Sequence, residues 1–296
     1  SYRSSEPSDA VRSRPISRRT SRASGCCDLD DVVAFSTTLP AANLITHVSK
    51  SLTCLGLAGG TPRAMARMEA NVNTALVPES ALADLAVAFP AASRVFRRHG
   101  LDYCCHGRRP VSEACAERGL DASALLAEVS AEARASSDGE SWSDRPLAEV
   151  VERIVSWYHA RLRTELPLLL QMARKVEAVH AEKETVPAGL AAHLESLSQT
   201  LLDHLDKEEE GLFPMLVSGR GGQPAPTVNA LEREHEDVAL ALQKTRALTT
   251  DLVPPAEACT TWRALYLRLD ELEAEVMEHV HLENNVLFRR ALCAEL

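Results

Sequence analysis

Two residue pairs, His204/Glu208 and His279/Glu283, interrupt apolar helical stripes that would otherwise be continuous. The first stripe runs Leu190, Leu194, Leu197, Leu201, His204, Glu208, Leu212; the second runs Trp262, Leu265, Leu269, Leu272, Val276, His279, Glu283, Leu287. Both have the three-and-four alternation of a helix face turned to a core. An ionised carboxylate on such a face is very costly unless it is paired or bound to a metal. Residues four apart share a helix face, so each pair presents an imidazole nitrogen and a carboxylate to one point. Two such points facing each other make a two-metal site.

Two further segments carry a histidine in the stripe: Val228, Leu231, His235, Val238, Leu242, and Leu147, Val151, Val155, His159, Leu162, Leu166. One histidine on an apolar face is usually a satisfied core residue; four helices each with one point to a metal. The connections Val186-Pro187, Gly219 to Pro226 and Val253-Pro254-Pro255 bear helix breakers. They predict an all-α fold, an antiparallel four-helix bundle with ligands on facing helices. Thiolates are absent from the stripes, which argues against a cysteine-rich structural zinc site. Imidazole with few carboxylates suits iron, zinc, copper or nickel, and bridging carboxylates suit a pair of irons. Of the Glu-x-x-His pattern of ferritin-like bundles only Glu232/His235 is present. A histidine-rich, hemerythrin-like centre is therefore expected.

From about Leu82 to its end the sequence resembles the iron-sulfur cluster repair di-iron proteins (the RIC group), which join a small N-terminal domain to a hemerythrin-like bundle. The resemblance lies in Trp157-Tyr158-His159, Val176 to His180, His204 to Pro214, His235, His279 to Phe288, and Leu101-Asp102-Tyr103-Cys104-Cys105 upstream. It implies a centre of two irons bound by His159, His180, His204, His235 and His279 and bridged by Glu208 and Glu283. It implies a redox or iron-handling role for Cys104 and Cys105, the catalytic candidates. It also implies a function, the repair of iron-sulfur clusters damaged by nitrosative or oxidative stress, through iron donation or nitric oxide reduction. Partners would be damaged iron-sulfur proteins and nitric oxide or oxygen; a homodimer is compatible with it. The residue after Cys105 is His106, where the family pattern leads one to expect glycine.

His180 is the least supported ligand from residues alone. It follows His159 by 21 positions, and one straight helix would separate them by about 31 Å, whereas the irons of a dinuclear site are about 4 Å apart. Pro167 is a candidate break between them. His281 points about 200° away from His279, and His193 lies beside Leu194, off its stripe; both read as solvent-facing. Asp206, Lys207, Glu209 and Glu210 read as a solvated face, and Glu234 as an outer-shell partner.

Residues 77–134 read as a small helical domain, with helix boundaries at Pro78 or Ser80, Phe89-Pro90, His99-Gly100, Ser112 and Gly119, and Asp121 capping a last helix. A polar stretch from Ala135 to Ser141 leads to the bundle, residues 145–296. Arg108 and Arg109 beside Cys104 and Cys105 are expected to favour thiolate. Cys115, Cys259 and Cys293 read as packing residues.

Residues 1–68 hold nine Lys/Arg against five Asp/Glu, net +4, leaving −14 for residues 69–296 out of a total of −10. The acidic portion argues against nucleic acid as a partner. Residues 1–76, basic and serine-rich, read as a disordered extension, either a targeting peptide or translated sequence upstream of a start at Met65 or Met68. Eight cysteines in a chain of this length form no evident disulfide framework, so a reducing compartment, the cytoplasm, is expected. No apolar run approaches membrane-spanning length. Two alternatives stand beside repair. A hemerythrin-like oxygen or nitric oxide binder without turnover has no use for a thiol pair, and a structural metal-bound scaffold has no need of a carboxylate on each of two stripes.

Overall fold

The computed structural model describes residues 76–136, 141–218 and 223–293; the expectations for residues 1–75 lie outside them. Among the described residues the structure is helical, with one isolated bridge between Ala81 and Pro110.

Four short helices come first: α1 (Leu82–Ala88), α2 (Ala92–Arg98), α3 (Val111–Arg118) and α4 (Ala122–Ala135). Leu85, Val95, Phe96, Leu101, Tyr103, Val111 and Val129 form their core. The boundaries follow local chemistry. The N–H groups of Leu82 and Ala83, which have no intrahelical partner, donate to the carbonyls of Arg109 and Gly107. The Asp121 side chain accepts from the Ala124 N–H at 2.8 Å, capping α4. Gly119 ends α3 at φ +66°, a left-handed conformation natural to glycine.

Four long segments then run back and forth. The first joins α5 (Leu147–Arg153), a π-helical turn (Ile154–His159) and α6 (Ala160–Val179). The second joins α7 (Leu190–Lys207), a π turn (Glu208–Leu212) and α8 (Phe213–Ser218); the third is α9 (Ala225–Leu248). The fourth joins α10 (Thr260–Leu282), a π turn (Glu283–Leu287) and α11 (Phe288–Cys293). Helix α6 packs on α7 and α10, and α7 on α9. The stripes of α7, α9 and α10 are buried along their whole length. The first stripe is shifted: Val150 and Ile154 are wholly buried, whereas Leu147 and Val155 pack only partly. The π turn inserts one residue, so His159 follows the buried Ile154 by five positions instead of four.

Pro167 does not break α6, which continues to Val179. The proline sits on the exposed face, where the carbonyl its ring leaves unbonded is open to water. Among the described residues no helix is long and apolar enough to cross a membrane.

Candidate metal centre

The three π turns begin or end on His159, Glu208 and Glu283. Such a turn widens the helix locally and re-aims a side chain, a use common at functional sites. His159, His204, His235, His279, Glu208 and Glu283 all end up in the bundle interior, each no more than 2% exposed. Their donor atoms form two clusters, His159, His279, Glu208, Glu283 and His204, His235, Glu208, Glu283, with the ligand atoms of each within 4.8 Å of one another. In the first, the His159 and His279 Nε2 atoms are 3.1 Å apart; in the second, those of His204 and His235 are 2.9 Å apart.

The two carboxylates divide their oxygens between the clusters. Glu208 Oε2 lies 3.4 Å from His159 Nε2, and its Oε1 lies 3.5 Å from His204 Nε2. Glu283 Oε1 lies 2.7 Å from His279 Nε2, and its Oε2 lies 3.3 Å from His235 Nε2. One oxygen per cluster is what a carboxylate bridging two ions requires.

The centre fits cations better than it fits itself. Both oxygens of Glu208, and Oε2 of Glu283, are buried without a hydrogen-bond partner, an arrangement that is expensive unless a charge offsets it. Protons partly take that place. Burial pushes the His159 ring toward neutrality, but its contacts with Glu208 and Glu283 outweigh burial and raise its pKa to about 10. His204 behaves alike: burial opposes charge, Glu208 and Glu283 favour it, and the pKa rises to about 9. Glu283 is held well below the usual carboxylate range, because the surrounding histidines overcome the cost of its burial.

Three histidines are oriented through their other nitrogen. His159 Nδ1 is 2.8 Å from Glu209 Oε1, His204 Nδ1 is 2.9 Å from Glu234 Oε2, and His235 Nδ1 is 2.8 Å from Asn284 Oδ1. With the proton on Nδ1, the Nε2 lone pair faces the centre. Glu234 has the outer position expected of it. Glu209 does not lie on a purely solvated face, because the π turn starting at Glu208 rotates its neighbour toward His159. No periodicity flagged Glu209. Asn284 and Asn285, two amides in an otherwise apolar run, were a readable signal.

His180 is not brought to the centre. It ends α6 as its C-cap, a whole unbroken helix beyond His159, with Nε2 3.3 Å from Cys259 Sγ and its ring against Trp262. The ligand role expected for it is corrected accordingly, and Cys259 is more than a packing residue. His193 and His281 are not solvent-facing either. His193 is buried, bonded to the Ala241 carbonyl at 2.9 Å and Thr245 Oγ1 at 3.0 Å. His281 packs against Tyr103 of the small domain and lies 3.1 Å from the Asn285 amide.

Two domain models match the chain: a "Domain of Unknown function (DUF542)", ScdA_N, over residues 78–133, and a "Hemerythrin HHE cation binding domain" over residues 150–291. Proteins called "Iron-sulfur cluster repair protein YtfE" from Yersinia pseudotuberculosis, Yersinia pestis and Citrobacter koseri are each 44% identical over 214 residues, covering 72% of this chain and 97% of the relative. The chain belongs to the YtfE family. Its bundle is the cation-binding hemerythrin type that the stripes anticipated.

The second motif of this YtfE-family chain, Cys104-Cys105, lies in the loop between α2 and α3, with the two sulfurs 3.8 Å apart. Asp102 Oδ1 accepts the N–H groups of Cys104 and Cys105, and Cys104 Sγ lies 3.3 Å from it. The Cys105 sulfur, then burial, and only then this carboxylate raise the Cys104 thiol well above its ordinary pKa, the reverse of the expected thiolate. The two arginines credited with lowering it are engaged elsewhere, Arg108 with Glu232 and Arg109 with Glu117, and the His106 ring is paired with Asp102. The loop is seated on the bundle, because Asn284 and Asn285 donate to the Cys104 carbonyl at 3.2 and 3.1 Å. Gly107 permits the crossing; a Cβ there would stand 2.2 Å from the Tyr103 carbonyl oxygen.

Proposed function

We propose that this chain is a di-iron protein that repairs iron-sulfur clusters damaged by nitrosative or oxidative stress. The observation that carries the reading is the pair of clusters sharing Glu208 and Glu283, in a chain similar over nearly the whole length of proteins named for such repair. In this reading His159 and His279 would hold one iron and His204 and His235 the other, with Glu208 and Glu283 shared between them. Four imidazoles with bridging carboxylates form a donor set suited to iron. When bound, the irons supply ferrous–ferric electron exchange and neighbouring positions for nitric oxide or oxygen.

The protein's own contribution is orientation, exclusion of water and control of protons. Glu209, Glu234 and Asn284 hold three rings with Nε2 inward. Burial keeps competing water from the donor atoms. His159 and His204, protonated at neutral pH without a cation, release those protons on loading, so uptake favours higher pH. Cys104 and Cys105 accept iron as cargo or pass electrons. The clients are damaged iron-sulfur proteins, and a reducing compartment such as the cytoplasm keeps both thiols available. Residues 77–134 and 145–296 act as the thiol unit and the iron unit.

The test is restoration of a nitric-oxide-damaged iron-sulfur enzyme. The Cys104→Ser/Cys105→Ser double variant should load two irons yet fail to repair, and Glu208→Ala should fail in both respects. Full repair by the thiol-free protein would end the thiol part of the reading. Full repair by iron-depleted Glu208→Ala would end the di-iron part.

A further inference from the structure

A second group of donor atoms lies outside the bundle centre. The Asp102 carboxylate and the sulfurs of Cys104 and Cys105 offer ligand atoms within 4.8 Å of one another. An ion held tetrahedrally at about 2.3 Å by two thiolates sets their sulfurs about 3.8 Å apart. That is the separation found, 3.8 Å. A sulfur and a carboxylate oxygen on the same ion stand about 3.6 Å apart, and Cys104 Sγ is 3.3 Å from Asp102 Oδ1. Closing a disulfide would instead require the sulfurs to approach to about 2.0 Å.

The surroundings are those of a held ligand set. His106 Nδ1 lies 2.7 Å from Asp102 Oδ2, fixing the carboxylate as outer-shell partners fix metal ligands. Both asparagines of the last π turn pin the Cys104 carbonyl. The open side faces a cavity of about 800 Å³ between α9, α10 and the small domain, lined by Asp102, Cys104, Cys105, Val276, Val280 and His235. His235 belongs to the bundle centre, so the two donor groups border one space. Asn284 also links them directly, contacting His235 Nδ1 and the Cys104 carbonyl.

We propose that Asp102, Cys104 and Cys105 form a mononuclear site for a divalent cation of intermediate softness, ferrous iron or zinc, with its fourth position open to this cavity. Two thiolates and one carboxylate suit such ions better than magnesium or calcium. Binding is ligand exchange without electron transfer: two sulfur–metal bonds and one oxygen–metal bond form as aqua ligands of the hydrated cation leave to solvent, each thiol gives its proton to solvent, and the cation keeps its charge. The site deepens the repair reading by giving cargo iron a place between the bundle and a client; only the source of the ion rests on that reading, since the donor set stands on the loop's own geometry.

Cobalt(II) titration of the reduced, full-length protein under anaerobic conditions tests the site. The bundle centre has no thiolate, so a thiolate-to-cobalt charge-transfer band reports cysteine ligation alone. One equivalent of such a band is expected. It should be lost in Cys104→Ser/Cys105→Ser and require at least about tenfold more cobalt in Asp102→Asn, which keeps both thiols. It should persist in Glu208→Ala, in which the bundle centre is damaged, so failure of the di-iron reading leaves this result standing. Absence of the band in the native protein, or its survival in the double serine variant through Cys26, Cys27 or another cysteine, would overturn the assignment. So would its loss in a folded Glu208→Ala protein.

Discussion

Without metal, the protein should become less stable as pH rises above neutrality, the opposite of what most carboxylate-rich proteins do. His159 and His204 have folded pKa values of about 10 and about 9 against about 6.5 in an unfolded chain. Between those limits the folded state holds protons that the unfolded state has released. The stability these groups contribute is complete below about pH 6.5 and is lost as pH rises through the folded values. Each such proton lowers the unfolding free energy by about 1.4 kcal/mol per pH unit, so two set a ceiling of about 2.7. The two rings share the same two carboxylates, so half the ceiling, about 1.4 kcal/mol per unit, is the better figure between pH 7 and 8.5. For a chain of this size that is a fall of about 3–6 °C in melting temperature per pH unit.

The acid side has the opposite sign. Burial pulls the His281 pKa down to about 4 and also lowers that of His193. Those rings stabilise the fold above about pH 6.5 and cease to do so as pH falls. The metal-free protein should therefore be most stable near pH 6.5–7. Above about pH 8.5 Cys104, whose pKa is raised, adds to the alkaline loss, so the histidine contribution is read below that value. The assay is thermal unfolding by circular dichroism in chelator, at half-unit steps from pH 5 to 8.5, beside the metal-loaded protein. Loading should flatten or reverse the alkaline slope, because the cations take over from the protons. A metal-free melting temperature that is constant or rising between pH 7 and 8.5 would refute the view that buried protons stand in for cations.

Other outcomes follow from named contacts. Glu209→Gln and Glu234→Gln should each weaken metal binding by about 10–100-fold, measured by competition with a chelator, because each loosens the ring it orients; unchanged affinity would make both ordinary surface residues. His180→Ala should retain full metal content while losing about 1–3 kcal/mol of stability through Cys259 and Trp262, and metal loss would return it to the ligand set. His193→Ala should cost about 1 kcal/mol in denaturant unfolding at constant metal content, for its bonds to Ala241 and Thr245; no loss would mean that those bonds are replaced by water.

Periodicity carried the sequence reading a long way, because a helix face repeats every turn and six donors lie where stripes from four helices meet. It failed where the helix itself is irregular. Nothing in the order Ile154, Val155, Ser156 announces a π turn, so the stripe is right at the buried Val151 but wrong at Val155, where Ile154 takes the inner position. It failed again where a second surface decides. His281 does point away from His279, but that direction leads to Tyr103, and a stripe cannot reveal what covers its opposite side. Arg108 and Arg109 show a third limit: they neighbour the thiols in sequence, whereas in space Glu232 and Glu117 hold them, and Cys105, burial and Asp102 set the state of Cys104.

Under the di-iron reading proposed above, charge accounts for a centre that is well formed and would still exchange its ions. Two divalent cations bring four positive charges into the bundle, and Glu208 and Glu283 return only two. Glu209 and Glu234, which touch His159 and His204 from outside and are 31% and 29% exposed in their side chains, supply two more. Both also hold surface cations, Glu209 with Arg163 and Glu234 with Lys207, and water and salt screen such rim pairs readily. Half of the neutralising charge therefore sits where solvent can weaken it, unlike the four inward carboxylates of a ferritin-like bundle. Under the proposed di-iron reading, iron on these terms would be held by geometry and only weakly by charge, as an iron donor requires.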